Sequence, residues 1–212
     1  MLERFRALFA AIFTPVARFF LRLGISPDVV TVVGTAGVCA GALVFFPGGH
    51  FLVGVLVCTA FVFSDIVDGL MARMSGRSSS WGAFLDSTLD RFGDAAVFAG
   101  LAMYYAGPGD SRPLTALAIY CLVLGSITSY ARARAEALGM QAKVGIAERS
   151  DRMVAILVMT GLAGIFDAPV LILVTMAVLA VASGIPVAHA HAPAQSQFAM
   201  CGRGTTTPRP CA

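Results

Sequence analysis

Six apolar runs, at residues 29–46, 51–71, 83–106, 114–131, 153–166 and 169–185, leave this chain little scope for a water-soluble fold. A helix needs about 20 apolar residues to cross the hydrocarbon layer, and most of the runs come near that length. In lipid the backbone must satisfy its own polar groups, so each run is expected to be helical. Of the 212 residues, 58% are apolar and 13% charged, with a mean hydropathy of +0.82, far from the balance of a soluble domain. The sequence therefore predicts an all-α integral membrane protein with six transmembrane helices over residues 24–185. The fifth run is short and is expected to borrow from the polar residues before it or to tilt little.

Basic residues are retained in cytoplasmic loops. With the N-terminus inside and six crossings, only Arg112 of the 15 lysines and arginines falls on the outer side. Both termini are thus expected in the cytoplasm, with the chain in the cell membrane. The net charge of +3 reads as a topology signal. No basic stripe is interleaved with aromatics, so no nucleic-acid partner is expected. The cysteines, Cys39, Cys58, Cys121, Cys201 and Cys211, have no metal-ligand spacing, and a disulfide framework is not expected.

Residues 1–23 carry Arg4, Arg6, Arg18 and Arg22 among apolar groups, the pattern of an amphipathic helix lying in the cytoplasmic interface, interrupted or kinked near Pro15. Ser26 or Asp28 is placed to cap the first span, and Pro27 suits its first turn. The cytoplasmic segments 72–82 and 132–152 are longer and more polar than the outer turns, so chemistry is expected on the cytoplasmic face. Residues 186–212, rich in Ala, Pro, Thr and Gly, read as a disordered tail in which His189 and His191 are incidental.

Four carboxylates interrupt this apolar texture. Asp65 and Asp68 are three apart and Asp86 and Asp90 four apart, so each pair shares one helix face. Their helices, joined by residues 74–82, are expected to be antiparallel neighbours that bring all four acids together at the cytoplasmic ends. Such a cluster calls for cations or for protonation. Hard oxygen donors suit two divalent ions, Mg²⁺ or Mn²⁺, which can clamp a phosphoryl transfer. The competing reading pairs the acids with Arg73 and Arg91. Gly69, Ala72 and Gly82 are small enough to let a ligand approach the backbone, and Arg73 is suited to a phosphate.

The pattern Asp65-x2-Asp68-Gly69-x2-Ala72-Arg73-x8-Gly82-x3-Asp86-x3-Asp90 resembles the signature of the CDP-alcohol phosphotransferase family. The resemblance implies that Asp65, Asp68 and Asp86 bind metal, and that Asp90 both binds metal and acts as catalytic base on an alcohol. It implies CDP-diacylglycerol as donor, with its cytidine near Gly69, Ala72 and Gly82 and its diphosphate at the metals and Arg73. Asp28, Val29, Val30, Thr31 and Ser79 are implied as further donor contacts, and a homodimer as the assembly. The alcohol attacks the lipid-bearing phosphorus and CMP departs, without a covalent enzyme intermediate.

The acceptor depends on a second basic cluster, Arg132, Arg134, Lys143, Arg149 and Arg152. It suits an anionic acceptor, or it is ordinary cytoplasmic loop charge with Arg132 and Glu136 as a helix pair. The segments "TPVARFFLRLGISPDVVTVVGT", "SYARARAEA" and "ERSDR" resemble the actinobacterial members of the family that make phosphatidylinositol phosphate. That resemblance implies myo-inositol phosphate as acceptor, its phosphate held at Arg132 and Arg152. A Gln-Arg pair usual beyond the last helix is replaced here by "GIPVAHAHAP", so acceptor binding is expected to be weakened with the donor site intact. The alternatives are a phosphatidylglycerophosphate synthase using glycerol phosphate and, from another class, a divalent-cation transporter. Transport is disfavoured because the acids gather at one face and the halves show no repeat.

Overall fold

The computed structural model describes residues 2–76, 79–138 and 149–182, the side chains of 2–11 and 149–150 excepted. Among the described residues everything is helix or short connection. The helices are α1 Leu2–Arg22, α2 Pro27–Phe45, α3 Phe51–Val62, α4 Ser64–Ser75, α5 Ser80–Ala106, α6 Arg112–Ala137, α7 Arg149–Phe166 and α8 Val170–Ala182. Three stretches, Pro27–Phe45, Phe51–Ser75 and Arg112–Ala137, are long and apolar enough to cross a membrane. Helix α5 is 27 residues long but carries Asp86, Asp90, Arg91 and Asp94 in its first half. The expected tail at 186–212, with Cys201 and Cys211, lies outside the described residues, as do Arg77 and Lys143.

Two local expectations are corrected. Helix α1 runs through Pro15 without interruption, with the proline on an exposed face where the carbonyl left without its N–H partner is not shut into the core. The run 51–71, in contrast, is divided between α3 and α4 at Phe63, where φ −65° and ψ −16° tighten the turn. The Ser64 hydroxyl donates to the Phe61 carbonyl there, 2.6 Å away. The Phe63 ring stacks on Phe13 of α1, centroids 5.4 Å apart. One consequence is that Asp65 stands in the first turn of a new helix, where the helix dipole favours negative charge.

Helix α2 is the post on which α3, α4 and α5 lean. Lipid gives helices no hydrophobic reason to associate, so close packing through small residues must hold them. Gly37 lies directly under the Phe61 ring, and a Cβ on Gly41 would stand 2.9 Å from Val57 Cγ1. The core between the helices is closed by Phe46, Phe98, Leu101, Ile156, Ile172 and Met176. A smaller cluster, Ala17 with Val67 and Met71, fastens α1 to α4.

Helices α4 and α5, expected as antiparallel neighbours, make no extensive backbone contact with each other, and each packs on α2. Close packing of their facing sides would press like-charged carboxylates together in a poorly solvated layer, which costs more than the contacts return. A cleft between them results, with α2 as its back wall.

At the junction of α2 and α5 backbone meets backbone. A Cβ on Gly100 would lie 2.7 Å from the Ala42 carbonyl oxygen. Gly100→Ala is therefore expected to destabilise the protein by about 1–3 kcal/mol, seen as a lower melting temperature in detergent. An unchanged melting temperature would show that α2 and α5 are not pressed together at this level.

Candidate functional site

The site is assembled at the start of α2, along α4 and along the first half of α5. Ser26 caps α2 by accepting from the Val29 N–H at 3.4 Å, and Pro27 follows at a position that lacks a helical donor anyway. This brings Thr31, one turn on, to the α4 side, where it is buried. Its hydroxyl lies 2.6 Å from Asp68 Oδ2 and 3.1 Å from the Pro27 carbonyl. A hydroxyl has one proton to give, and the shorter contact to the carboxyl is the stronger claim on it.

Asp68 is only 7% exposed, and the charges of Asp65 on its own helix and Asp86 on α5 both act on it. Asp86 is exposed and Asp90 half-buried. Arg91 lies 3.7 Å from Asp90 Oδ2 and also donates to the Ser129 hydroxyl of α6. The pairing of Asp90 with Arg91 is thus present, while Arg73 is exposed in the last turn of α4. Ala72 beside it is half-buried.

The glycines occupy two different settings. A Cβ on Gly69 would meet nothing within 4 Å, so its smallness serves open space and not helix packing. A Cβ on Gly82 would lie 3.4 Å from Ser79 Oγ and 3.7 Å from Asp28 Oδ1, so the first turns of α2 and α5 meet there. Ser79 caps α5, accepting from the Gly82 N–H at 3.0 Å. Asp28, Ser79 and Gly82 are therefore gathered at one corner of the cleft. Val29 points outward and is 51% exposed, and Val30 packs with the α1–α4 cluster.

The two basic residues assigned to an acceptor sit differently. Arg132 is exposed on α6 and paired with Glu136 at 2.9 Å, as in the helix-pair reading. Arg152 is buried near the start of α7, its guanidinium 3.8 Å from Asp94 Oδ2. Asp94 was missed in the sequence, although it continues the four-residue spacing of Asp86 and Asp90 along one face of α5.

Among the described residues, no three His, Cys, Asp or Glu side chains are grouped so as to hold a metal ion, so the expected convergence of all four aspartates is not seen. Their chemistry nonetheless fits a hard divalent cation: the donors are carboxylate oxygens, negative charge meets from both sides of the cleft at Asp68, and the space over Gly69 is open. Gly69→Ala is expected to leave the melting temperature unchanged or slightly raised, since helix propensity gains up to about 1 kcal/mol and nothing is struck. A marked loss of stability would mean that Gly69 serves packing.

With this geometry in hand, comparison with known proteins is specific. Residues 24–185 match the profile of a family described as CDP-alcohol phosphatidyltransferase. The phosphatidylinositol phosphate synthase of Streptomyces avermitilis is 54% identical over 167 residues, covering 78% of this chain and 68% of that protein. That of Cutibacterium acnes is 55% identical over 166 residues, covering 77% and 80%. Among solved structures, Mycobacterium tuberculosis phosphatidylinositol phosphate synthase with CDP-DAG bound superposes with a TM-score of 0.79 at 43% identity, over 84% of this chain and 90% of the other. The same enzyme in complex with manganese and citrate gives 0.77 at 42% identity, over 82% and 84%.

Proposed function

The chain belongs to the CDP-alcohol phosphatidyltransferase family, and from that premise we propose that it transfers the phosphatidyl group of CDP-diacylglycerol to a hydroxyl of myo-inositol phosphate, giving phosphatidylinositol phosphate and CMP. The observation that supports this reading is Asp68, bonded to Thr31 and acted on by the charges of Asp65 from its own helix and of Asp86 from α5. The likeness to synthases of this name, one of them solved with CDP-DAG, supports both donor and acceptor.

Residues 24–185 form the catalytic membrane domain, crossing the cell membrane six times with both termini and the cleft in the cytoplasm, and the domain works as a homodimer. Residues 1–23 lie along the cytoplasmic interface, a placement supported by the exposed apolar stripe Ile12, Val16, Phe19 and Leu23 beside exposed Arg18 and Arg22. Residues 186–212 are a tail outside the catalytic domain.

Asp65, Asp68, Asp86 and Asp90 hold two divalent ions, Mg²⁺ in ordinary use with Mn²⁺ able to replace it, and a relative's manganese complex supports this choice. When bound, such ions neutralise diphosphate charge and acidify a nearby hydroxyl. Thr31 holds Asp68 in the orientation it needs toward the cleft. The open face of Gly69, with Ala72 and Gly82, admits the cytidine, and Asp28, Val29, Val30 and Ser79 border it. Arg73 meets the diphosphate as a charge-assisted donor. Arg132 and Arg152 hold the phosphate of the acceptor. Asp90 takes the proton of the attacking hydroxyl as its oxygen bonds to the lipid-bearing phosphorus, and the bond to the CMP oxygen breaks.

The test is CMP release by purified protein with Mg²⁺ and CDP-diacylglycerol, with inositol phosphate, glycerol phosphate or no acceptor added. Inositol-phosphate-dependent CMP is expected; dependence on glycerol phosphate alone would make the chain a phosphatidylglycerophosphate synthase. Absence of any acceptor-dependent CMP release would sink both enzyme readings and leave cation transport. Asp90→Asn is expected to lower turnover by about 10²–10⁴-fold. Thr31→Val is expected to raise the Mg²⁺ concentration for half-maximal activity by about tenfold or more, whereas Thr31→Ser stays close to the parent. Equal Mg²⁺ dependence in both variants would remove Thr31 from this role.

A further inference from the structure

Arg152 belongs to a buried charge pair whose acid, Asp94, has no part in the chemistry described so far. Asp94 lies one helical turn beyond Asp90 on α5, about 6 Å further along the axis. Its carboxylate and the Arg152 guanidinium are 3.8 Å apart, with side chains only 11% and 9% exposed. The same Nη2 end of the guanidinium rests against α6 at Gly125, where any Cβ would collide with it. Ser129, one turn along α6, donates to the Gly125 carbonyl at 2.9 Å and receives the Arg91 donor from α5. Three helices therefore meet around one arginine, with an acid and a residue without a side chain both at its Nη2 end.

A buried ion pair is a poor source of stability, because desolvating both charges consumes most of what their attraction returns. It is a good device for holding a cation in one place. Here the separation of 3.8 Å exceeds a hydrogen bond, so the carboxylate steers the guanidinium electrostatically. Arginine has five donors in a planar fork, more than one carboxylate can engage, so a held guanidinium can also meet an oxyanion.

We propose that Asp94 is a positioning residue for the acceptor: with Gly125 it sets the Arg152 guanidinium one turn from Asp90, where the cation receives the acceptor's phosphate and brings its hydroxyl to the catalytic base. This rests on the reading of Arg152 as an acceptor ligand. Gly125 is the second half of the device, since a methyl group there would displace the guanidinium without altering any charge.

The experiment is steady-state kinetics on purified protein with CDP-diacylglycerol and inositol phosphate varied separately, for Asp94→Asn, Gly125→Ala and Arg152→Gln, each with a melting curve. Asp94→Asn and Gly125→Ala are expected to raise KM for inositol phosphate about tenfold, with KM for CDP-diacylglycerol unchanged. Asp94→Glu, which keeps the charge, is expected to recover part of the loss. If Arg152→Gln raises the acceptor KM while Asp94→Asn and Gly125→Ala do not, Asp94 has no positioning role. If Arg152→Gln leaves the acceptor KM unchanged, the underlying reading of Arg152 fails first. A fall in kcat with both KM values steady and a lower melting temperature would mark the pair as structural and overturn the proposal. Should Asp94→Asn fail to fold, Gly125→Ala decides by the same KM split.

Discussion

Among the described helices α3, α4 and α5 all lean on α2, and α2 can carry that load because it is narrow. Helices in lipid gain nothing from hiding apolar surface from one another, so their association depends on how closely backbones approach. Gly37 and Gly41 admit α3, and Gly100 of α5 presses to within a methyl's width of the Ala42 carbonyl. The post that holds the bundle together also supplies Thr31 to Asp68. Packing and site geometry are consequently set by one helix.

The cleft follows from electrostatics as much as from packing. Helices α4 and α5 present carboxylates to each other and are kept apart, each supported by α2. A protein that needed only stability would have filled this space with apolar side chains. The acids are instead retained at a membrane boundary, where such residues are costly and mark function. The break at Phe63 belongs to the same design, since it begins a new helix just before Asp65 and places that acid at a favourable helix end.

Much of the site was legible because it is written at helical spacing. Asp65 and Asp68, and Asp86 and Asp90, announce shared faces by their separation alone, and of the two caps expected for α2, Ser26 or Asp28, the structure contains Ser26. Asp94 extended the same period and was overlooked because the spacing had already been satisfied by two acids. Thr31 was legible only as part of a run near the donor; that its hydroxyl lies against Asp68 is a contact between residues 37 apart in sequence. The burial of Arg152 was equally hidden, since a basic residue in a polar segment is normally solvated, and its neighbours Asp94 and Gly125 come from other helices.

The sequence by itself determined that the chain is helical and membrane-embedded, that its acids lie in pairs, and which family it joins. Those properties depend on local composition and on periods of three and four, which each segment carries without reference to the others. Tertiary structure alone decided that α4 and α5 stand apart on a common support, that Thr31 meets Asp68, and that one arginine is shared among α5, α6 and α7. These are distances between segments far apart in the chain, and they arise from which small residues allow backbones to approach and which like charges keep them separate.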